Sequence, residues 1–161
     1  MDAAERRRFV REHRTAIYGY ARQTEAPSLS VVYYLMDGDE EMLVSCMAER
    51  AKTKAAERDP HATLCVLDEQ WPLTYVQVQC KVAVERDFDA AVDLLVRLSE
   101  LMAETKLPDT ARAPLEEMAR REQRIVLRLT PYATYHTPPR HVRKVEDLEG
   151  LTHWTSSSIP W

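Results

Sequence analysis

Glycine is scarce in this sequence, with only Gly19, Gly38 and Gly150 among 161 residues. A Gly-rich phosphate loop needs several glycines close together, so neither a dinucleotide-binding GxGxxG turn nor a P-loop can be built. Any phosphate group that this chain binds must therefore be held by side chains and by the start of a helix.

Cysteine and histidine are also few and unsuitably spaced for a metal site. Cys46, Cys65 and Cys80 stand singly within apolar runs, which predicts buried thiols in a reducing compartment. No CxxC pair occurs and the five histidines show no ligand spacing, so we expect no metal site. None of the cysteines has a base nearby in sequence, which favours structural burial over nucleophilic catalysis.

Long apolar runs and an excess of positive charge are missing as well. No run approaches the length of a membrane-spanning helix, and the N-terminal MDAAERRRFVREHR is too charged for a signal peptide. We therefore expect a cytoplasmic protein without a membrane partner. The formal net charge of −4 disfavours nucleic acid as a general partner. A chain of this length is expected to form one domain with its own core.

Short apolar runs predict a mainly β fold. The segments TAIYGYA, SLSVVYYLM and EMLVSCM have strand-like composition, and Asp37-Gly38-Asp39 is a turn signal between the last two. ATLCVLD is a continuous apolar run, which predicts a strand buried on both faces. Over residues 74–85 every second residue is apolar, so one face of that strand should meet a core.

The remaining segments predict helices, one further strand and a tail. Helices are expected over residues 2–13, over 88–104, and from Pro114 to about Arg121. The arginines of the first helix should form a solvated face. The second helix should carry an apolar stripe that includes Leu101 and Met102. RIVLRLTP predicts a strand, whereas YATYHT and the residues after it are expected to run over the surface, anchored by Trp154 and Trp161. Five or six strands with short connections predict a small barrel.

The stretch ERAKTKAAERDP at residues 49–60 carries an unusual charge pattern. Its alanines favour a helix that ends at Asp59-Pro60. Arg50, Lys52 and Lys54 lie in the first turns, where the helix dipole is already positive and acidic residues are preferred. These cations form either a solvated charged face or a site for an anion.

Three segments carry a family resemblance: MLVSCMAERAKTKAAERDPHATLCVLDE, WPLTYVQVQCKVAV and REQRIVLRLTP. Together they resemble pyridoxamine 5′-phosphate oxidase-like split β-barrel proteins, and more narrowly their actinobacterial branch of F420-dependent flavin/deazaflavin oxidoreductases. The resemblance covers roughly residues 10–140. It implies a homodimeric split β-barrel, which is an FMN-binding Greek-key barrel, mainly β with helices. Residues 1–140 would form the cofactor-binding domain, and residues 141–161 a C-terminal extension packing on the barrel or on the dimer partner.

The resemblance also implies a site. Arg50, Lys52 and Thr53 would clamp the phosphate of coenzyme F420 or of FMN within an anion site at residues 50–54, which includes Lys54, with Ser45 close by. The list of candidates is completed by two residues that would line the ring or substrate pocket, Trp71 and Tyr75.

The implied activity is hydride transfer between coenzyme F420 and an unsaturated small molecule. Two alternatives remain open: an FMN-dependent oxidase or reductase of the same fold, and a non-catalytic flavin- or deazaflavin-binding protein. No catalytic acid or base is identified. The expected partners are a second copy of the chain and the small-molecule substrate.

Overall fold

A computed structural model of the chain describes residues 1–68, 70, 74–137, 145 and 158–161. The strands are β1 (Thr15–Tyr20), β2 (Ser28–Asp37), β3 (Glu41–Met47), β4 (His61–Asp68), β5 (Thr74–Glu85), β6 (Arg124–Thr137) and the two-residue β7 (Ile159–Pro160). The helices are α1 (Ala3–Glu12), α2 (Ala51–Arg58), α3 (Phe88–Ala103) and α4 (Arg112–Arg121), the last preceded by a 3-10 turn at Asp109–Ala111.

Six antiparallel strands close into a barrel. The hydrogen-bonded order is β3-β2-β1-β4-β5-β6, and β3 also pairs with β6 from Met42 opposite Leu129 to Met47 opposite Arg124. Closure removes the free sheet edges that an open sheet would expose. The predicted small barrel is therefore confirmed, and it is consistent with a split β-barrel.

Alternation along the strands fills the barrel interior. On β5, the predicted inward face is confirmed because Val76, Val78, Cys80 and Val82 are all buried. The turn between β2 and β3 is also as predicted, since Gly38 has a φ of +63°, a conformation that glycine adopts without strain.

The long helix α3 packs outside the barrel against β3 and β6. Leu94 and Leu98 contact a small cluster that contains Leu43 and Val126. The predicted apolar stripe extends too far, because Met102 near the end of α3 is half exposed.

Strand β6 is longer than predicted, and the expectation that YATYHT runs over the surface was wrong. The strand continues through Pro131 because its pairing with β5 shifts register between Gln79 and Cys80. A bulge of this kind accommodates a proline, which has no N–H for the ladder. At its far end, Ala133 and Thr134 pair with β7.

Three burial predictions were also wrong. Strand β4 is buried on one face only, because Thr63, Cys65 and Leu67 are partly exposed on its outer face. Cys65 is therefore not a fully buried thiol. Arg6 of the supposedly solvated helix is buried, and its guanidinium donates to the carbonyl oxygen of Pro160 at 2.7 Å.

The described residues contain no helix that is long and apolar enough to cross a membrane. Within the same residues, no group of three or more His, Cys, Asp or Glu side chains could hold a metal ion. Trp154 lies outside the described residues, whereas the indole Nε1 of Trp161 donates to the carbonyl oxygen of Asp39 at 3.0 Å.

Candidate functional site

A cavity of about 370 Å³ opens where β3 passes into α2. Its wall is built by β1, β2, β3, the start of α2 and the start of β6. The lining residues are Tyr20, Ser28, Ser30, Ser45, Cys46, Met47, Arg50, Ala51, Lys52 and Arg124. Three serine hydroxyls and three cationic side chains, from segments far apart in sequence, therefore converge on one space.

Strand pairing brings the two serines of β2 to the cavity. Tyr20 pairs with Ser28, and Tyr18 pairs with Ser30. Every second residue of a strand points to the same face. The next inward residue of β2, Val32, is buried in the core, so the serines lie where the apolar interior of the barrel gives way to the cavity.

Helix α2 begins without the cap that its neighbours have. At the start of α1, Asp2 accepts a hydrogen bond from the backbone N–H of Glu5, and at the start of α3, Asp87 accepts from Ala90. The corresponding residue of α2 is Arg50, whose side chain makes no cap hydrogen bond. The first turn of α2 thus combines a positive dipole end with cationic side chains at the cavity.

Two contacts hold the Lys52 ammonium against the barrel. Its Nζ donates to the Oγ of Ser30 at 2.8 Å and lies 5.6 Å from the ring centroid of Tyr18. Burial lowers the pKa of the Lys52 ammonium below its usual value, and the Arg50 cation adds to that effect. An anion in the cavity would offset both contributions.

Arg50 and Ser45 face the same space from either side of the β3–α2 connection. The Nε of Arg50 lies 3.4 Å from the Sδ of Met47, and its side chain is exposed. Within the part of the chain that the structure describes, neither Arg50 nor Lys52 has a carboxylate partner. Ser45 is partly buried at the end of β3.

Thr53 and Lys54 are placed differently from the other candidates of the basic turn. The side chain of Thr53 is fully buried, and its hydroxyl donates to the carbonyl oxygen of Met47 at 2.9 Å. Lys54 is exposed and pairs with Glu49 at 2.8 Å. Neither residue lines the cavity, and their contact with a cofactor stays a prediction.

Of the two candidates for the ring or substrate pocket, only Tyr75 is described by the structure. Trp71 lies outside the described residues. Tyr75 is a partly buried residue near the start of β5, where it pairs with Leu67 and Thr137, and it does not line the cavity. The role of Tyr75 in a ring or substrate pocket stays a prediction.

Sequence reasoning missed Tyr20, Ser28, Ser30 and Arg124. The serines and the tyrosine reach the cavity through the pairing of β1 with β2, and Arg124 through the pairing of β3 with β6. The one available signal was Arg124 itself, a cation at the first position of a predicted strand. Nothing in the linear sequence indicated that this strand closes the barrel beside the basic turn.

The lining residues define what the cavity can do chemically. None of its described lining residues is a carboxylate or an imidazole, so no general acid or base of those types faces it. Hydroxyl donors, cations and an uncapped helix start suit anionic oxygen atoms such as those of a phosphate. The donor set therefore fits the phosphate-bearing end of a cofactor.

Comparison with protein families gives a match over most of the chain. A model of the pyridoxamine 5′-phosphate oxidase family matches residues 3–137. A comparison with curated proteins gave no match.

Solved structures give fold-level similarity. A conserved hypothetical protein, Rv2991 from Mycobacterium tuberculosis, has a TM-score of 0.76 and 20% identity, covering 98% of this chain and 92% of that one. A protein described as an F420 reductase has a TM-score of 0.59 and 18% identity, covering 75% and 88%. An FAD-binding protein from Mesorhizobium loti has a TM-score of 0.61 and 13% identity, covering 83% and 92%.

Proposed function

The chain belongs to the pyridoxamine 5′-phosphate oxidase family, and on that premise we propose that it is an oxidoreductase that binds a phosphate-bearing flavin or deazaflavin. Coenzyme F420 is the proposed cofactor and FMN the alternative. The observation that carries the proposal is the cavity at the start of α2, where Lys52 is partly desolvated without a carboxylate partner among the described residues.

The cavity residues would each take a defined part in holding the phosphate. Lys52 and Arg50 would supply positive charge, and the first turn of α2 would supply backbone N–H groups. The hydroxyl oxygen of Ser30 accepts from Lys52, which leaves its own proton for an anionic oxygen. Ser45 can donate in the same way from the end of β3.

The proposed reaction is hydride transfer between the cofactor and an unsaturated small molecule. A bound flavin or deazaflavin would supply the hydride chemistry. The contribution of the chain is binding and orientation, because its described cavity lining offers no carboxylate or imidazole. The structural similarity to an F420 reductase and to an FAD-binding protein supports a cofactor of this chemical class.

We also propose that the protein is a homodimer. Leu29, Val31 and Tyr33 form an exposed apolar stripe along the outer face of β2, and their exposed fractions are 68%, 72% and 50%. On the neighbouring β1, Ile17 pairs with Val31 and extends the apolar surface. Contiguous apolar surface of this kind favours association, and a second copy would cover it.

Titration of the purified protein with FMN and with coenzyme F420, side by side, tests the proposal. We expect saturable binding of F420, followed by its fluorescence, and turnover of the reduced cofactor with an unsaturated acceptor. Tight FMN binding with a yellow protein would instead favour the FMN-dependent alternative. Saturable binding without hydride transfer to any acceptor would favour the non-catalytic alternative. No binding of either compound would contradict all three.

A further inference from the structure

Arg124 reaches the cavity through a turn that is fastened to the end of β3. The backbone N–H of Ala48 donates to the carbonyl oxygen of Gln123 at 2.9 Å, and Arg124 pairs with Met47. Gln123 itself has a φ of +50°, a backbone conformation that residues other than glycine rarely adopt. The α4–β6 turn therefore fixes where the Arg124 side chain leaves the backbone.

Glu122 then determines how the guanidinium is turned. Its Oε2 accepts from the Nε of Arg124 at 2.8 Å and lies 2.6 Å from Nη2. The remaining nitrogen, Nη1, lies 3.4 Å from the Oγ of Ser45. One edge of the guanidinium is thus occupied by Glu122, and the other faces the cavity wall next to a serine hydroxyl.

The charges around the cavity differ accordingly. Arg50 and Lys52 have no carboxylate partner among the described residues, whereas the charge of Arg124 is offset by Glu122. Two uncompensated cations balance the charge of a phosphate monoester such as that of FMN, which is about −1.5 to −2 at neutral pH. Arg124 would then add hydrogen bonding with little further net charge.

We propose that Arg124 is a further phosphate-binding residue, an inference that rests on the proposed function. Glu122 orients the Arg124 guanidinium and lowers the affinity of the cavity for phosphate. A carboxylate at this distance holds the guanidinium in one orientation but also repels an anion in the cavity. Removing the arginine and removing the negative charge of its partner should therefore change phosphate affinity in opposite directions. A purely structural ion pair would not produce that pattern.

The test compares FMN with riboflavin, which has the same ring system and no phosphate, and adds inorganic pyrophosphate as a probe without a ring. We expect Arg124→Gln to weaken FMN binding about tenfold, the size of one charge-assisted hydrogen bond, and to leave riboflavin binding unchanged. Glu122→Gln keeps an amide oxygen for Arg124 and should strengthen FMN binding by about threefold.

Arg120→Gln is the matched control. It removes one nearby cation, whose side chain is exposed, lies over the ring of Phe88 and does not line the cavity. We expect its affinities for all three compounds to equal those of the parent. Denaturation midpoints of the three variants show whether any loss of affinity follows from unfolding.

The pyrophosphate series keeps this inference separate from the proposed function. A parent protein that binds pyrophosphate but no flavin or deazaflavin would contradict the proposed function, while the pyrophosphate affinities still decide the role of Arg124. The inference would be overturned if Arg124→Gln had the same ratio of FMN affinity to riboflavin affinity as the parent, and the same affinity for pyrophosphate. Weaker FMN binding in Glu122→Gln would overturn the weakening role of Glu122. A parent that binds neither these three compounds nor coenzyme F420 would overturn both proposals.

Discussion

Two tyrosines in the barrel core differ by a single hydrogen bond. Tyr18 and Tyr34 are both fully buried, and burial raises the pKa of each phenol above its usual value. The hydroxyl of Tyr34 donates to the carbonyl oxygen of Val10 at 2.5 Å. That of Tyr18 has no partner among the described residues. A buried hydroxyl without a partner carries a desolvation cost that its bonded counterpart recovers.

We therefore expect opposite effects of the same substitution. Tyr18→Phe should raise the free energy of unfolding by about 1 kcal/mol, because it removes an unpaired polar atom and keeps the ring under Lys52. Tyr34→Phe should lower it by about 1–3 kcal/mol, because the carbonyl of Val10 loses its donor. Urea denaturation of both variants measures the difference. Equal destabilisation would show that Tyr18 has a partner in solution.

At this scale, the sequence indicated the charged residues of the site better than the uncharged ones. Lys52 and Arg50 stood out because their charge conflicts with the helix dipole. Ser28 and Ser30 carry no such conflict, and they reach the cavity only through strand pairing. Lys54 belongs to the same predicted anion site as Lys52, but it lies two residues further around the helix and pairs with Glu49.

At the scale of elements, Thr53 joins α2 to the end of β3. Its side chain is fully buried and donates to Met47, the last residue of β3. Thr134 on β6 is equally buried, but its Oγ1 has no hydrogen-bond partner in the described part of the chain. The two threonines therefore form a natural pair for testing the connection between helix and strand.

We expect Thr53→Val to lower the free energy of unfolding by about 1 kcal/mol, because the Met47 carbonyl keeps only the backbone N–H of Arg50 as a donor and the shape of the side chain is retained. Thr134→Val should be neutral or slightly stabilising. Thermal denaturation of both variants checks this. If Thr53→Val were as stable as the parent, its hydrogen bond would not hold α2 in place.

The unit from β3 through α2 to β4 could be predicted because each signal is local: apolar runs at both ends, alanines between them, and a proline at the helix end. The extent of β6 could not. Pro131 resembles a strand terminator in sequence, and only the register shift opposite Gln79 and Cys80 makes it compatible with continued pairing.

For the whole molecule, the closure of β3 on β6 brings Arg124 beside a turn that lies more than seventy residues earlier. The barrel class and its six strands, within the predicted five or six, followed from composition and spacing, whereas β7 was not predicted. Which strands meet at the closure depends on long-range packing, which short-range patterns do not encode. Of the missed residues, Arg124 lies at this closure, whereas Tyr20, Ser28 and Ser30 reach the cavity through the pairing of β1 with β2.

The proposed dimer gives a prediction at the same scale. Val31→Glu places a charge in the middle of the exposed stripe on β2 and should convert the dimer to a monomer without unfolding it. Met102→Glu is the control, since Met102 is an exposed apolar residue on α3 and not on β2. Light scattering gives the masses. A parent that is monomeric at micromolar concentration with its cofactor bound would contradict the dimer.

The central claim is that the cavity at the start of α2 holds the phosphate of the cofactor, and Lys52 and Lys54 test it with equal changes of charge. Lys52 lines the cavity, whereas Lys54 pairs with Glu49 outside it. Lys52→Ala should change the stability of the apo protein little, because the relief of about 0.3–1 kcal/mol at the helix dipole is offset by loss of the contacts with Ser30 and Tyr18.

The deciding measurement is the affinity of the parent and of each alanine variant for FMN, riboflavin and coenzyme F420. We expect Lys52→Ala to weaken binding of the phosphate-bearing cofactor by roughly ten- to a hundredfold, with riboflavin unaffected and Lys54→Ala equal to the parent. Equal cofactor affinity in the parent and both variants would contradict the claim, because the cations of the basic turn would then be solvent-facing charges without a ligand.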